Sequence, residues 1–399
     1  MDPSFHIRRA ACVFLELDED LAFDLDSLMA GGDGLSTTST WMALAPHLDS
    51  KIPMELRHVE CLRSVSARRW TASCDVDPHG LSTVDELVAI GLLVSDSAEH
   101  AGHREADERY RAQHWHPIGG LLHAFTRWEG IDSVANMHAS ATHTATSMRQ
   151  VLGAPPTEAA RSSGTNALTL PWALPSGFDD LLARRATCRN FDPSRKLPLA
   201  LFAQLLQRVF AAQGEVRVTD DTVFLKKNVP SGGGLHPMEA YLIVQHVQGV
   251  LPGLYHYQAQ DHALHPLPAP EKPLREFMLD MVAQQHWFAD AHVMVLLSPR
   301  FDRTFWKYRK HAKGYRVVAM EAGHLSQTLY LAATEAGLGA FITAAINEVD
   351  LERAFGLDSL AQGALAMCGF GWRGPRKEHP ELDPAGRVWA PADPGLVRC

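Results

Sequence analysis

The chain has 399 residues, of which 46% are hydrophobic and 21% charged, with a formal net charge of −9. That length suits two domains, and the apolar content is enough for two cores. The acidic balance argues against general nucleic-acid binding, which needs a basic face, and no run reaches the roughly 18 apolar residues of a membrane span.

The first residues, Met1 to Arg9, lack the apolar run of a signal peptide. Residues 1–152 mix short strand-like runs with amphipathic segments and show no catalytic motif. His6, His47, His58, His79, His100, His103, His114, His116 and His123 have no ligand-like spacing, and no metal site is expected. Leu81 to Leu87 places capping residues ahead of a helical apolar pattern that ends at Gly91-Leu92-Leu93-Val94. A helix followed by such a turn reads as a winged-helix-like unit. Asp75, Asp77, Asp85, Glu86, Asp96 and Glu99 weigh against DNA and favour a docking or peptide-recognition domain. His138 and His143 flank a Ser/Thr/Ala-rich stretch that reads as a solvated loop or helix face.

Residues 153–172, rich in Pro, Ser, Thr, Ala and Gly, read as a linker. Residues 173–399 then alternate helical and strand-like patterns. Helices are expected over 177–185 and 198–212, buried strands over 240–244 and 293–297, a long apolar helix over 316–337, and a last core strand over 364–371. This alternation predicts an α+β layered domain. The cysteines at 12, 61, 74, 188, 368 and 399 form no CxxC pair, so a reducing cytoplasm is the default compartment.

Three segments carry candidate chemistry. Arg184, Arg185, Thr187 and Arg189 offer guanidinium forks and a hydroxyl suited to phosphate, although arginines alone also make a basic surface patch. Pro230, Ser231, Gly232, Gly233, Gly234 and His236 lie just before a strand. Three successive glycines suggest a backbone that approaches a flat ring or a phosphate closely, and a flexible loop is the plainer alternative. Arg373 and Arg376 form a basic, glycine-punctuated tail after the last strand.

In this order the segments resemble the nitroreductase-like flavoprotein superfamily. So does the helix bearing Glu321, Gly323, His324, Gln327, Leu329, Leu331, Ala332, Ala333, Gly337, Leu338 and Gly339. A narrower match joins the 230–234 loop, Glu239, Tyr241, Pro252-Gly253-Leu254-Tyr255-His256-Tyr257, His262 and Leu264. It is similar to the SagB-type azoline dehydrogenases, and Lys307-Tyr308 resembles that subfamily's catalytic Lys-Tyr pair.

The resemblance implies a nitroreductase-like α/β/α domain and FMN held by the arginines, Thr187 and the glycine loop. It further implies oxidation of azolines in a precursor peptide alongside other peptide-modifying enzymes, and a homodimer with flavin at the subunit interface. Ala186-Thr187 stand where the family has Ser, Gly234 where many members have Asn, and His236 where they have Gln. An NADH- or NADPH-fed nitro- or quinone-reductase and a non-catalytic scaffold subunit are the competing readings.

Overall fold

The computed structural model describes residues 5–48, 50–76, 82–156 and 167–389. Residues 157–166 of the expected linker lie outside these, and 153–156 and 167–172 on either side are exposed, without helix or strand. Contacts divide the chain into two units. The first comprises 1–127, 301–315 and 358–362, and the second 128–300, 316–357 and 363–399.

In the first unit β1 (His6–Arg9) is flanked by β5 (Thr71–Ala72) and β6 (Leu93–Ser95). A second sheet runs β2 (Phe14–Phe23), β3 (Leu35–Leu44), β4 (Ile52–Met54). Helices Leu56–Ser64 and Ser82–Ala89 close a core of Ile7, Leu62, Val84, Leu87, Val88 and Leu93. The Ser82–Ala89 helix buries Val84, Leu87 and Val88, the i, i+3, i+4 spacing of one helical face. Gly91 then ends it with φ 79°, a conformation that favours glycine.

The second unit holds a hairpin of β7 (Gly214–Thr219) and β8 (Thr222–Lys226) and a six-stranded sheet. The sheet's strands are β9 (Met238–Val244), β10 (Gly253–Gln258), β11 (Ala263–Pro266), β12 (Val293–Pro299), β13 (Gly339–Thr343) and β14 (Ala366–Gly371). Its order is β11-β10-β9-β12-β14-β13, and each neighbouring pair is antiparallel. β12 is buried along its whole length, as a continuous Val/Leu run requires of a central strand covered on both faces. Met294 and Leu296 meet Phe277, Met281, Leu351 and Phe355 from helices Leu274–Met281 and Glu348–Phe355. On the opposite face Phe202 of helix Leu199–Val209 stacks on Phe370 of β14. The fold is the mixed, layered helix and sheet arrangement that the alternating pattern predicts, and the expected helices and strands stand within a few residues of their places.

Candidate active site

Ser176 and Asp179 cap the helix Gly177–Arg184 reciprocally, so the chain leaves its C-terminus at a fixed point. The segment beyond is stitched to the sheet edge. Thr187 bridges Ala340 of β13, the Cys188 N–H donates to the Ala340 carbonyl at 2.8 Å, and Phe191 bridges Arg373. Arg184 pairs with Asp180 at 2.9 Å, and Arg387 donates to the same carboxylate. The Arg185 guanidinium lies 5.3 Å from the Tyr330 ring centre, and Thr187 Oγ1 meets the Tyr330 hydroxyl at 3.0 Å. Arg189 donates through Nη1 to the Pro380 carbonyl at 3.2 Å.

Arg373 is committed elsewhere. Its guanidinium forms an ion pair with Glu381, whose side chain is fully buried. Glu381 also accepts from the Arg189 N–H at 2.6 Å, Asn190 Nδ2 at 2.8 Å and the Trp389 indole at 2.7 Å. Burial pushes the Glu381 carboxyl up, but these donors and Arg373 outweigh it and hold the group below the ordinary glutamate range. Cys188 is buried against this cluster, and burial pushes its thiol up to about 12, which keeps it a packing group at neutral pH. Arg185, Arg189 and Arg376 have no carboxylate partner among the described residues. Arg189 and Arg376 line one cavity of about 430 Å³, together with Trp287, His379 and the carboxylates of Asp192, Asp290 and Glu378.

The glycine loop is a tight turn whose conformation explains its composition. Gly233 and Gly234 have φ 67° and 69°, and His236 follows with φ 46°. A Cβ on Gly232 would lie 2.0 Å from Val317 Cγ1, whereas one on Gly234 would meet nothing within 4 Å. The loop is thus pressed on the helix Gly314–Glu335 at one glycine and open at another. The Ser231 hydroxyl is used within the loop: it accepts from the His236 N–H at 2.9 Å and donates to Glu321. With its proton given to Glu321, the Ser231 hydroxyl can offer a ligand only an acceptor lone pair. His324 Nδ1 donates to the Pro230 carbonyl at 3.1 Å. Burial raises the Glu321 carboxyl above its usual range, with Ser231 and Lys227 opposing.

Glu321 and Tyr330 are nine positions apart on one helix. At about 100° per residue they project from opposite sides, so the glycine loop and the arginine segment grip different faces of it.

Lys307 and Tyr308 fall in the first unit. Lys307 ends the helix Phe301–Lys307 exposed, with Nζ 5.6 Å from the Tyr308 ring centre. That helix is anchored by Trp115, whose ring centre lies 4.5 Å from Phe301 and 4.6 Å from Phe305. Beside it His123 Nε2 donates to the Ser359 carbonyl at 2.9 Å, and burial pushes the imidazole down to about 4.

Glu381, Tyr330 and Arg387 anchor these segments, and the sequence pattern did not single them out. Glu321 and Gly323 to Gln327 stood in the family register, but the Glu381 carboxylate carried no motif of its own. His138 and His143 stack at 4.4 Å, and the described residues include no group of three side chains placed to hold a metal.

The sequence profile of the nitroreductase family matches residues 182–372. A protein of Methanocaldococcus jannaschii designated a nitroreductase is 35% identical over 162 residues, 41% of this chain and 75% of that protein. The chain belongs to the nitroreductase family. Family relatives include the trifolitoxin-processing protein TfxB of Rhizobium leguminosarum bv. trifolii, 28% identical over 43% of this chain and 46% of its own length. The microcin B17-processing protein McbC of Escherichia coli is 25% identical over 46% of this chain and 65% of its own length. This family member therefore spans less than two thirds of either peptide-processing relative. A chain of the E. coli microcin synthetase McbBCD complex with truncated pro-MccB17 bound superposes over 67% of this chain and 94% of its own, at 20% identity and TM-score 0.48.

Proposed function

We propose that this nitroreductase-family chain is an FMN-dependent dehydrogenase that oxidises azoline rings to azoles in a ribosomally made peptide. The observation that carries the reading is three arginines, Arg185, Arg189 and Arg376, that no ion pair ties to a carboxylate among the described residues, in the same unit as a glycine loop open at Gly234. Arginine forks suit a terminal phosphate, and an open, side-chain-free backbone suits a flat ring. Arg184 and Arg373, already paired with Asp180 and Glu381, position the segment instead. Two relatives bear names of peptide-processing proteins, which supports a peptide as substrate.

The opposite-face placement of loop and arginines on the helix Gly314–Glu335 favours a homodimer, in which one copy's loop completes the site opened by the other's arginines. Arg316, Ala319, Met320, Gly323 and Gln327 form an exposed stripe on this helix, small in the middle and apolar at Met320, fit for a second copy.

Bound FMN would supply a two-electron acceptor for hydride. Aromatising an azoline also removes one ring proton, which requires a positioned base. We assign that proton to Lys307 and Tyr308, with the arginines holding charge and Gly232–Gly234 shaping the ring contact. The protein should purify yellow, release the mononucleotide, and oxidise an azoline peptide faster than it consumes NADH with a nitroaromatic. A colourless protein that also refuses added FMN would overturn the assignment. Turnover of NADH alone would return the reductase reading.

A further inference from the structure

β2 is an outer strand. Among the described residues it pairs only with β3, in unbroken register from Phe14 opposite Leu44 to Phe23 opposite Leu35. Long free edges are usually blunted by lysine, proline, a bulge or shortness, because outward N–H and C=O groups template another strand. The ten residues FLELDEDLAF hold no lysine, proline or bulge and are not short. Their one guard is charge, the carboxylates of Glu16, Asp18, Glu19 and Asp20, which repels acidic strands and leaves the edge open to a basic one. They carry two chemically different faces, since successive side chains alternate. Leu15, Leu17, Leu21 and Phe23 share one face with Glu19 between them, and Trp41 opposite Leu17 and Leu35 opposite Phe23 extend its apolar ends across the hairpin. Leu21 and Phe23 are each 69% exposed. Phe14, Glu16, Asp18, Asp20 and Ala22 share the other face, acidic at its centre, where Lys51 reaches Glu16 at 2.6 Å.

We propose that the β2 edge binds an extended peptide segment whose side chains alternate between apolar and basic. The peptide's main chain would continue the ladder. Its apolar side chains would extend the Leu17–Leu21–Phe23 face, and its Lys or Arg side chains would meet Asp18 and Asp20. Charge selects this occupant over a second copy. Two β2 strands set edge to edge would bring eight carboxylates, Glu16, Asp18, Glu19 and Asp20 from each, against one another. The site stands apart from the flavin chemistry, because binding is read without turnover.

The test uses the full chain and fluorescein-labelled decapeptides followed by fluorescence anisotropy. The alternating leucine–lysine peptide should bind, and added salt should weaken it. The leucine–glutamate peptide, and a leucine–lysine peptide N-methylated at every second residue, should each bind at least tenfold more weakly. Asp18→Lys with Asp20→Lys should shift preference toward the glutamate peptide. Asp18→Asn with Asp20→Asn, which leaves smaller scope for misfolding, should weaken the lysine peptide at least tenfold with an unchanged circular dichroism melt. Equal binding of the lysine and glutamate peptides, or of the N-methylated form, would overturn the proposal. So would a self-association, seen by sedimentation, that the Asn variant abolishes, since it would assign the edge to a second copy.

Discussion

Among single residues, the arginines divide by what already binds them. Among the described residues the Arg189 side chain meets only a carbonyl oxygen, so Arg189→Ala should leave folding intact and weaken FMN about ten- to a hundredfold, the loss of about 1.5–3 kcal/mol from a charge-assisted phosphate contact. Arg373→Ala removes the cationic partner of the fully buried Glu381 side chain, which keeps the Arg189 N–H, Asn190 and Trp389 donors, and should destabilise the chain by about 1.5–3 kcal/mol. Urea unfolding beside flavin titration separates the two outcomes; Arg373→Ala with an unchanged midpoint would contradict the pairing. At Gly232 the close contact gives a second test. Gly232→Ala should displace the loop and lower flavin affinity, and Val317→Ala in the same chain should restore it, because the Val317 Cβ lies 3.4 Å from the added atom. Absence of rescue would mean that Val317 is not what requires glycine. The arginines and glycines were legible in the sequence because their chemistry is peculiar to residue type. Glu381 was not: a glutamate in a basic tail reads as solvated charge, and its burial is set by Asn190 and Trp389, 191 and eight positions away.

For elements, legibility followed periodicity. The Val293–Leu297 run and the apolar spacing of 198–212 declare a strand and a helix locally. The β2–β3 hairpin does not, because acidic residues interrupt one strand and Ser/Thr the other, and its partner-seeking faces emerge only once the register is fixed. The Trp115 cluster shows the same limit, since it joins a ring at 115 to rings at 301, 305 and 315. His123 gives this cluster a measurable pH response. Its folded pKa of about 4 lies below the ordinary 6.5, so the neutral ring's stability is fully present above pH 6.5 and is lost as pH falls toward 4. The full effect is about 3 kcal/mol. Thermal melts from pH 7 to 4 should therefore fall more steeply for the parent than for His123→Gln; parallel curves would show that the imidazole does not resist protonation.

For the whole molecule, the chain is interleaved. Residues 301–315 and 358–362 group with the N-terminal unit, so the helix bearing Lys307 is packed by Trp115 rather than by its sequence neighbours. A chain begun near Leu170 would leave Phe301 and Phe305 without that ring, and point substitutions are the cleaner probe of the N-terminal unit. Such interleaving leaves no mark in a sequence, because it depends on contacts between residues some 190 positions apart. The proposed homodimer likewise rests on surfaces, since the exposed 316–327 stripe is recognisable only after the helix is placed. The account's central claim is that flavin bound by the arginine and glycine segments oxidises a peptide azoline, with Lys307 and Tyr308 handling the ring proton. Its most direct test is anaerobic mixing of the FMN-loaded protein with an azoline-containing peptide, followed at the flavin absorbance band. The account predicts bleaching by the parent, and at least a hundredfold slower bleaching by Lys307→Ala or Tyr308→Phe at undiminished flavin content. A band left unchanged by the peptide and bleached by NADH, or both variants bleaching at the parent rate, would contradict it.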